Sequence, residues 1–144
     1  MIRHAGLVAF RVDGRWRGAL IEGDSGRGKS DLALRALDHG LRLVADDRTE
    51  VFVSNGRLFG SAPRTLAGLI EVRGVGIVPR GALPMAEIHI RVHCAAAPRE
   101  VERAPDLTPR RLLGVKIPTL AIWPFEASAP LKLILALQHL GVRT

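Results

Sequence analysis

The chain has 144 residues, 47% of them hydrophobic, which suits one domain with a real, mainly aliphatic core. A single cysteine, Cys94, excludes an internal disulfide and a cysteine-rich metal site, and the longest apolar run, Leu133 to Leu137, is too short to cross a bilayer. The net charge of +7 comes from scattered arginines without a basic tail or an aromatic RNA-binding signature, so it reads as solvated faces rather than a nucleic-acid surface.

Leu7 to Val12 and Arg17 to Glu22 read as strands, and Asp13-Gly14 between them predicts a hairpin. The second strand runs into Gly23-Asp24-Ser25-Gly26-Arg27-Gly28-Lys29-Ser30, which fits G-x-x-x-x-G-K-[ST]. A helix is expected from about Lys29 to His39, with Leu32, Ala33, Ala36 and Leu37 apolar and Gly40 as its stop. A strand, this loop and a helix in that order are the context a P-loop requires. Glycines let backbone N–H groups curl around a phosphate, and the helix N-terminus adds a favourable dipole. In that reading Gly23 to Ser30 bind ATP, Lys29 reaches the β- and γ-phosphates, and Ser30 holds magnesium.

Leu41 to Ala45 is the next strand and ends on Asp46-Asp47, at the sheet edge where loops of an open α/β fold meet ligand. A carboxylate there can bind magnesium or accept a proton from an attacking hydroxyl, and two neighbours on a strand end could divide those tasks. A second hairpin is expected from Thr49 to Phe59, turning at Asn55-Gly56, and Pro63 begins a short helical turn reaching about Gly68. Leu69 to Val78 is a glycine-punctuated apolar run carrying Glu71 and Arg73. Glu87 to Cys94 alternates, with Ile88, Ile90, Val92 and Cys94 expected on one face and Glu87, His89, Arg91 and His93 on the other. Residues 96–111 read as a loop and Gly114 to Ile122 as a strand. The last helix has Ser128 as N-cap, Pro130 in its first turn, Leu131 to Leu140 as its body and Gly141 as its stop. Its faces are nearly all apolar, which calls for burial in the core or against another subunit.

Gly23 to Ser30, Leu43-Val44-Ala45-Asp46-Asp47, and Glu71-Val72-Arg73-Gly74-Val75-Gly76-Ile77 stand in the order and approximate spacing of one family. Over roughly its first 80 residues the chain resembles the C-terminal catalytic domain of HPr kinase/phosphorylase, which phosphorylates a serine of the phosphocarrier protein HPr. The resemblance implies a P-loop α/β fold, a mixed sheet with flanking helices, of the HPr kinase and phosphoenolpyruvate carboxykinase type. Position by position it implies an active-site histidine at His4, the P-loop lysine at Lys29 and the proton-accepting carboxylate at Asp46. Ser30 and Glu71 match the magnesium ligands, and Arg103 matches the catalytic arginine. ATP and magnesium are the implied cofactors and an HPr-type phosphocarrier the implied partner; a homo-oligomer is expected, and the lone Cys94 fits a cytoplasmic, reducing location.

Two departures from the family carry expectations of their own. The chain starts almost at His4, so it is expected to be a single catalytic domain over 1–144 without the N-terminal regulatory domain of longer members. Trp123 to Ser128 stands where those members have Pro-x-x-x-Gly-Arg-Asn, a stretch linked to phosphorolytic dephosphorylation. This ending resembles the short proteobacterial versions and implies kinase activity in excess of dephosphorylation. The residues by themselves leave two further readings open, a P-loop kinase of a small hydroxyl metabolite and a nucleotide-sensing module without turnover.

Overall fold

The computed structural model describes residues 1–105, 107 and 109–140; the expected stop at Gly141 lies outside them. The chain opens with β1 (Ile2–Arg3), β2 (Ala5–Val12) and β3 (Arg15–Glu22), followed by α1 (Lys29–Leu37) and β4 (Arg42–Ala45). β5 (Thr49–Ser54) and β6 (Arg57–Ser61) follow. Both expected hairpins form through two-residue turns with positive φ at each centre, 51° and 77° at Asp13 and Gly14 and 50° and 73° at Asn55 and Gly56. That mirror-image turn matches the right-handed twist of the strands it joins, and Asp-Gly and Asn-Gly tolerate it best.

A 3₁₀ turn at Arg64–Leu66 leads to β7 (Leu69–Val72) and β8 (Gly76–Pro79), a separate two-stranded hairpin. β9 (Ala86–Cys94) is the central strand. β10 (Arg110–Leu112), β11 (Val115–Ile117), β12 (Thr119–Ile122) and α2 (Ala129–His139) complete the chain. The main sheet runs β1-β5-β6-β9-β3-β2-β4, with β12 also paired to β9. β9 is parallel to β3 and β12, and the other pairs are antiparallel, so the sheet is mixed as expected. In this order β3, β4, β9 and β12 all end at the same edge.

One face of the sheet packs Val8, Ile21, Ile90 and Val92 against Leu32 and Ala36 of α1 and Leu133 and Leu137 of α2. The other face packs Leu7, Leu20 and Ile88 against Val51 and Leu58 and against Leu112, Val115 and Ile117 of the β10–β11 hairpin. The alternation of β9 therefore needs correcting. The register jumps from Gly18↔Ile88 to Ala19↔Ile90, an extra residue at His89, and Ile88 goes to the opposite core from Ile90, Val92 and Cys94.

Two further expectations are corrected. Gly114 to Ile122 is not one strand: Gly114 turns at φ 81°, and β11 and β12 flank Pro118. Proline has no N–H to offer a ladder; β11 pairs with β10 in a separate hairpin, and the β12–β9 ladder begins at Pro118 O, which accepts from Arg91 N–H at 2.8 Å. The 96–111 segment is loop only in part, because Arg110 already pairs with Ile117 in β10. Ser128 occupies the N-cap of α2 without a side-chain cap bond. That helix buries Ala129, Leu133, Ala136 and Leu137 and leaves Leu131 and Leu135 half exposed.

Candidate active site

Gly23, Gly26 and Gly28 carry positive φ, 152°, 83° and 88°, so the segment between β3 and α1 curls in a way that side-chain-bearing residues resist. Asp24, Ser25 and Gly26 form its exposed crest, and Arg27 lies 3.8 Å from Asp24 in an ion pair across it. Gly28 is the N-cap of α1. Lys29, the first helical residue, is buried, and its Nζ donates to Gly23 O at 2.6 Å and Asp24 O at 3.3 Å. The ammonium thus sits inside the curl, held by the carbonyls that begin it.

Ser30 Oγ donates to Asp46 Oδ1 at 2.8 Å, and Glu71 N–H donates to Asp46 Oδ2 at 2.9 Å. Asp46 ties together the start of α1, the end of β4 and the β7–β8 hairpin. Asp47 takes φ 61° and is exposed, so the neighbouring carboxylates diverge. Glu71 reaches Asp46 through its backbone and is itself exposed. No group of three or more His, Cys, Asp or Glu able to hold a metal exists among the described residues. The oxygens that meet here, the Ser30 hydroxyl and the Asp46 carboxylate, still fit magnesium, which takes few protein ligands and completes its shell with phosphate and water.

His4 is exposed between β1 and β2. The register Ala5↔Glu22 sets it beside the start of the glycine-rich loop. Glu22, which sequence reasoning did not single out, anchors this corner. Arg91 Nε donates to its Oε1 at 2.6 Å, Arg91 Nη2 to its Oε2 at 3.2 Å, and Arg3 also pairs with Oε2. Burial pushes the Glu22 carboxyl up, but hydrogen bonds and charge from Arg91 and Arg3 outweigh it, and its pKa ends below the ordinary value. Cys94, at the end of β9, lies against the loop: a Cβ on Gly23 would be 3.1 Å from Cys94 Cβ. Burial pushes its thiol up to about 11, against the lowering pull of Lys29 and Arg27.

A cleft of about 670 Å³ runs beside this edge, lined by Glu22, Arg91, His93, Glu102 and Pro105 among others. Arg103 is exposed and is not among the lining residues. The structure therefore joins Ser30, Asp46 and the Glu71 backbone by hydrogen bonds, holds Lys29 inside the neighbouring loop, and sets His4 at the adjoining strand end. It does not bring Arg103 into that group.

Residues 4–83 match the family model of the HPr Serine kinase C-terminal domain. An HPr kinase/phosphorylase of Clostridium botulinum (strain Eklund 17B / Type B) is 46% identical over 72 residues, covering 50% of this chain and 24% of that protein. One from Limosilactobacillus reuteri (strain DSM 20016) is 42% identical over 95 residues, 60% of this chain and 30% of its own. These matches thus span about a quarter to a third of those relatives' length. Among solved structures, the Hpr(Ser) kinase/phosphatase from Coxiella burnetii superposes with a TM-score of 0.75 at 27% identity, covering 92% of this chain and 91% of that one.

Proposed function

The chain belongs to the HPr Serine kinase C-terminal domain family, and on that premise we propose that it is an ATP- and magnesium-dependent kinase acting on a serine of an HPr-type phosphocarrier protein. The observation that carries this reading is the meeting of Lys29, Ser30 and Asp46. The buried lysine is bonded inside the loop to Gly23 O, and the next residue, Ser30, is hydrogen-bonded to the strand-end carboxylate of Asp46. Asp46 accepts the proton of the incoming serine hydroxyl as that oxygen attacks the terminal phosphorus, and the bond from that phosphorus to the β-phosphate oxygen breaks to release ADP. Lys29 stabilises the charge on the transferring group from inside the curl, where water is scarce and its field is strong. Ser30 and Glu71 would hold the magnesium ion, which would supply charge neutralisation for phosphoryl transfer.

His4 acts at the same edge, and the Arg3–Glu22–Arg91 cluster fixes the strand ends on either side of it. Arg103 is the arginine that the family resemblance puts in the catalytic set; it is exposed and stands outside the lining of the adjoining cleft. The exposed Leu131 and Leu135 of α2 support self-association, so the working form is a homo-oligomer. Incubating the chain with a candidate phosphocarrier, ATP and magnesium, followed by mass spectrometry of the carrier, tests the reading. A phosphoserine on the carrier is expected. An unmodified carrier beside phosphorylation of a small hydroxyl compound, or ATP binding without any turnover, would overturn it.

A further inference from the structure

Phe125 rests on the last glycine of the phosphate-loop sequence. A Cβ on Gly28 would lie 2.9 Å from Phe125 Cζ, 3.0 Å from its Cε1 and 3.3 Å from Pro124 Cγ. Yet 54% of Phe125 remains exposed, with Trp123 edge-on behind it, ring centroids 6.3 Å apart at 71°. The segment carrying the pair is well fastened. Arg35 Nη1 donates to Glu126 O at 3.2 Å, Arg35 Nη2 donates to Pro124 O, and Glu126 is ion-paired with Lys132. A fixed aromatic ring beside a phosphate site, half open to water, is a surface awaiting an apolar or π-faced ligand.

The order of strands says which part of a ligand meets it. Asp46 follows β4, which lies beyond β2 on one side of β3, whereas Trp123–Phe125 follows β12, which lies beyond β9 on the other. A triphosphate held at Gly23 to Ser30, with its reacting end at Asp46, therefore directs its nucleoside end toward Phe125. We propose that Phe125, backed by Trp123, is the stacking surface for the nucleotide base. This rests on the ATP reading above and adds a subsite to it. Stacking uses the π-face that every base has, so the subsite supplies affinity with little choice between adenine and guanine.

Calorimetric titration of the purified chain with magnesium-ATP and with magnesium-tripolyphosphate, which has no base, separates the two parts of the site. Phe125→Ala should weaken ATP binding by about ten-fold or more, the scale of one base–aromatic stack, and leave tripolyphosphate within roughly two-fold. Phe125→Tyr should restore ATP binding. Equal loss for both ligands, meaning that Phe125 only braces Gly28, overturns the proposal, and so does no loss for either. Lys29→Ala serves as the control for the underlying reading. If it leaves tripolyphosphate affinity intact, the phosphate site itself is misassigned and the subsite falls with it.

Discussion

Ser30 Oγ and Asp46 Oδ1 stand 2.8 Å apart, the hydroxyl donating to the carboxylate. The group proposed to hold the metal thus occupies one oxygen of the group proposed to take the serine proton, and Glu71 N–H occupies the other. On the proposed function, a Ser30 that turned toward a bound metal would free Asp46 Oδ1, while Glu71 N–H would keep the carboxylate oriented. The contact would so couple metal binding to freeing of the proposed base.

Replacing Asp46 with Asn leaves one oxygen where there were two. Magnesium-ATP binding should persist while phosphoryl transfer falls by roughly a hundred-fold or more, the usual scale for losing a general base. Titration of nucleotide alongside single-turnover transfer checks this. Lost binding with normal turnover per bound ATP would mark Asp46 as a metal or structural residue instead.

Lys29→Ala removes the ammonium from inside the loop, including its bonds to Gly23 O and Asp24 O. ATP affinity and transfer should both drop sharply, while α1 persists because alanine favours helix. Circular dichroism and nucleotide titration distinguish the outcomes. A folded variant with unchanged affinity is incompatible with the phosphate-loop assignment.

Under the proposed function, the direction of catalysis is expected to turn on Trp123 to Ser128. Dephosphorylation by inorganic phosphate needs a second anion held beside the phosphoserine, which calls for cationic or amide donors. This stretch has no cationic side chain, and the nearby Arg35 is engaged with the carbonyls of Pro124 and Glu126. Glu126 is itself neutralised by Lys132, so the deficit is one of missing cations more than of repulsion. Kinase activity should exceed phosphate-driven release of pyrophosphate from a phosphoserine carrier. Equal rates in the two directions would show that another arginine supplies the anion site.

Glu22 gives a pH signature. Its folded pKa lies below the ordinary 4.5, so its contribution to stability is present above that value and is lost as pH falls through the lowered folded pKa. Glu22→Gln should cost about 1–3 kcal/mol at pH 7, where it leaves Arg91 and Arg3 without their counter-charge. The difference from the parent chain should shrink as pH drops below about 4. Denaturant melts at several pH values measure it, and a pH-independent difference would mean that packing, not charge, is what Glu22 contributes.

Cys94 should resist alkylation in the folded chain at pH 8, since its thiol stays protonated well above that pH and is fully buried. Mass spectrometry before and after denaturant exposure reads this directly. Rapid labelling of the native chain would show that the corner behind Gly23 opens.

Local chemistry settled much of this protein in advance. Asp13-Gly14 and Asn55-Gly56 fix their hairpins because few other pairs accept two positive φ angles, and Gly23 to Ser30 announces its loop by the same glycine logic. The placement of Asp46 beside that loop was legible because strand ends in such sheets share an edge. Other features depend on partners distant in sequence. Burial alternates without interruption along β9, so nothing local reveals the extra residue at His89; only pairing with β3 fixes which face Ile88 takes. Pro118, which has no N–H for a ladder, stands where the chain passes from the β10–β11 hairpin to the β12–β9 ladder, and that change of partner splits the expected strand. Glu22 meets Arg91 across 69 positions, and Phe125 meets Gly28 only once β12 lies beside β9. Turn chemistry and motif spacing are properties of neighbouring residues and can be read from sequence. Ion pairs and ring contacts between strands are set by sheet order and register, which the chain acquires only by folding.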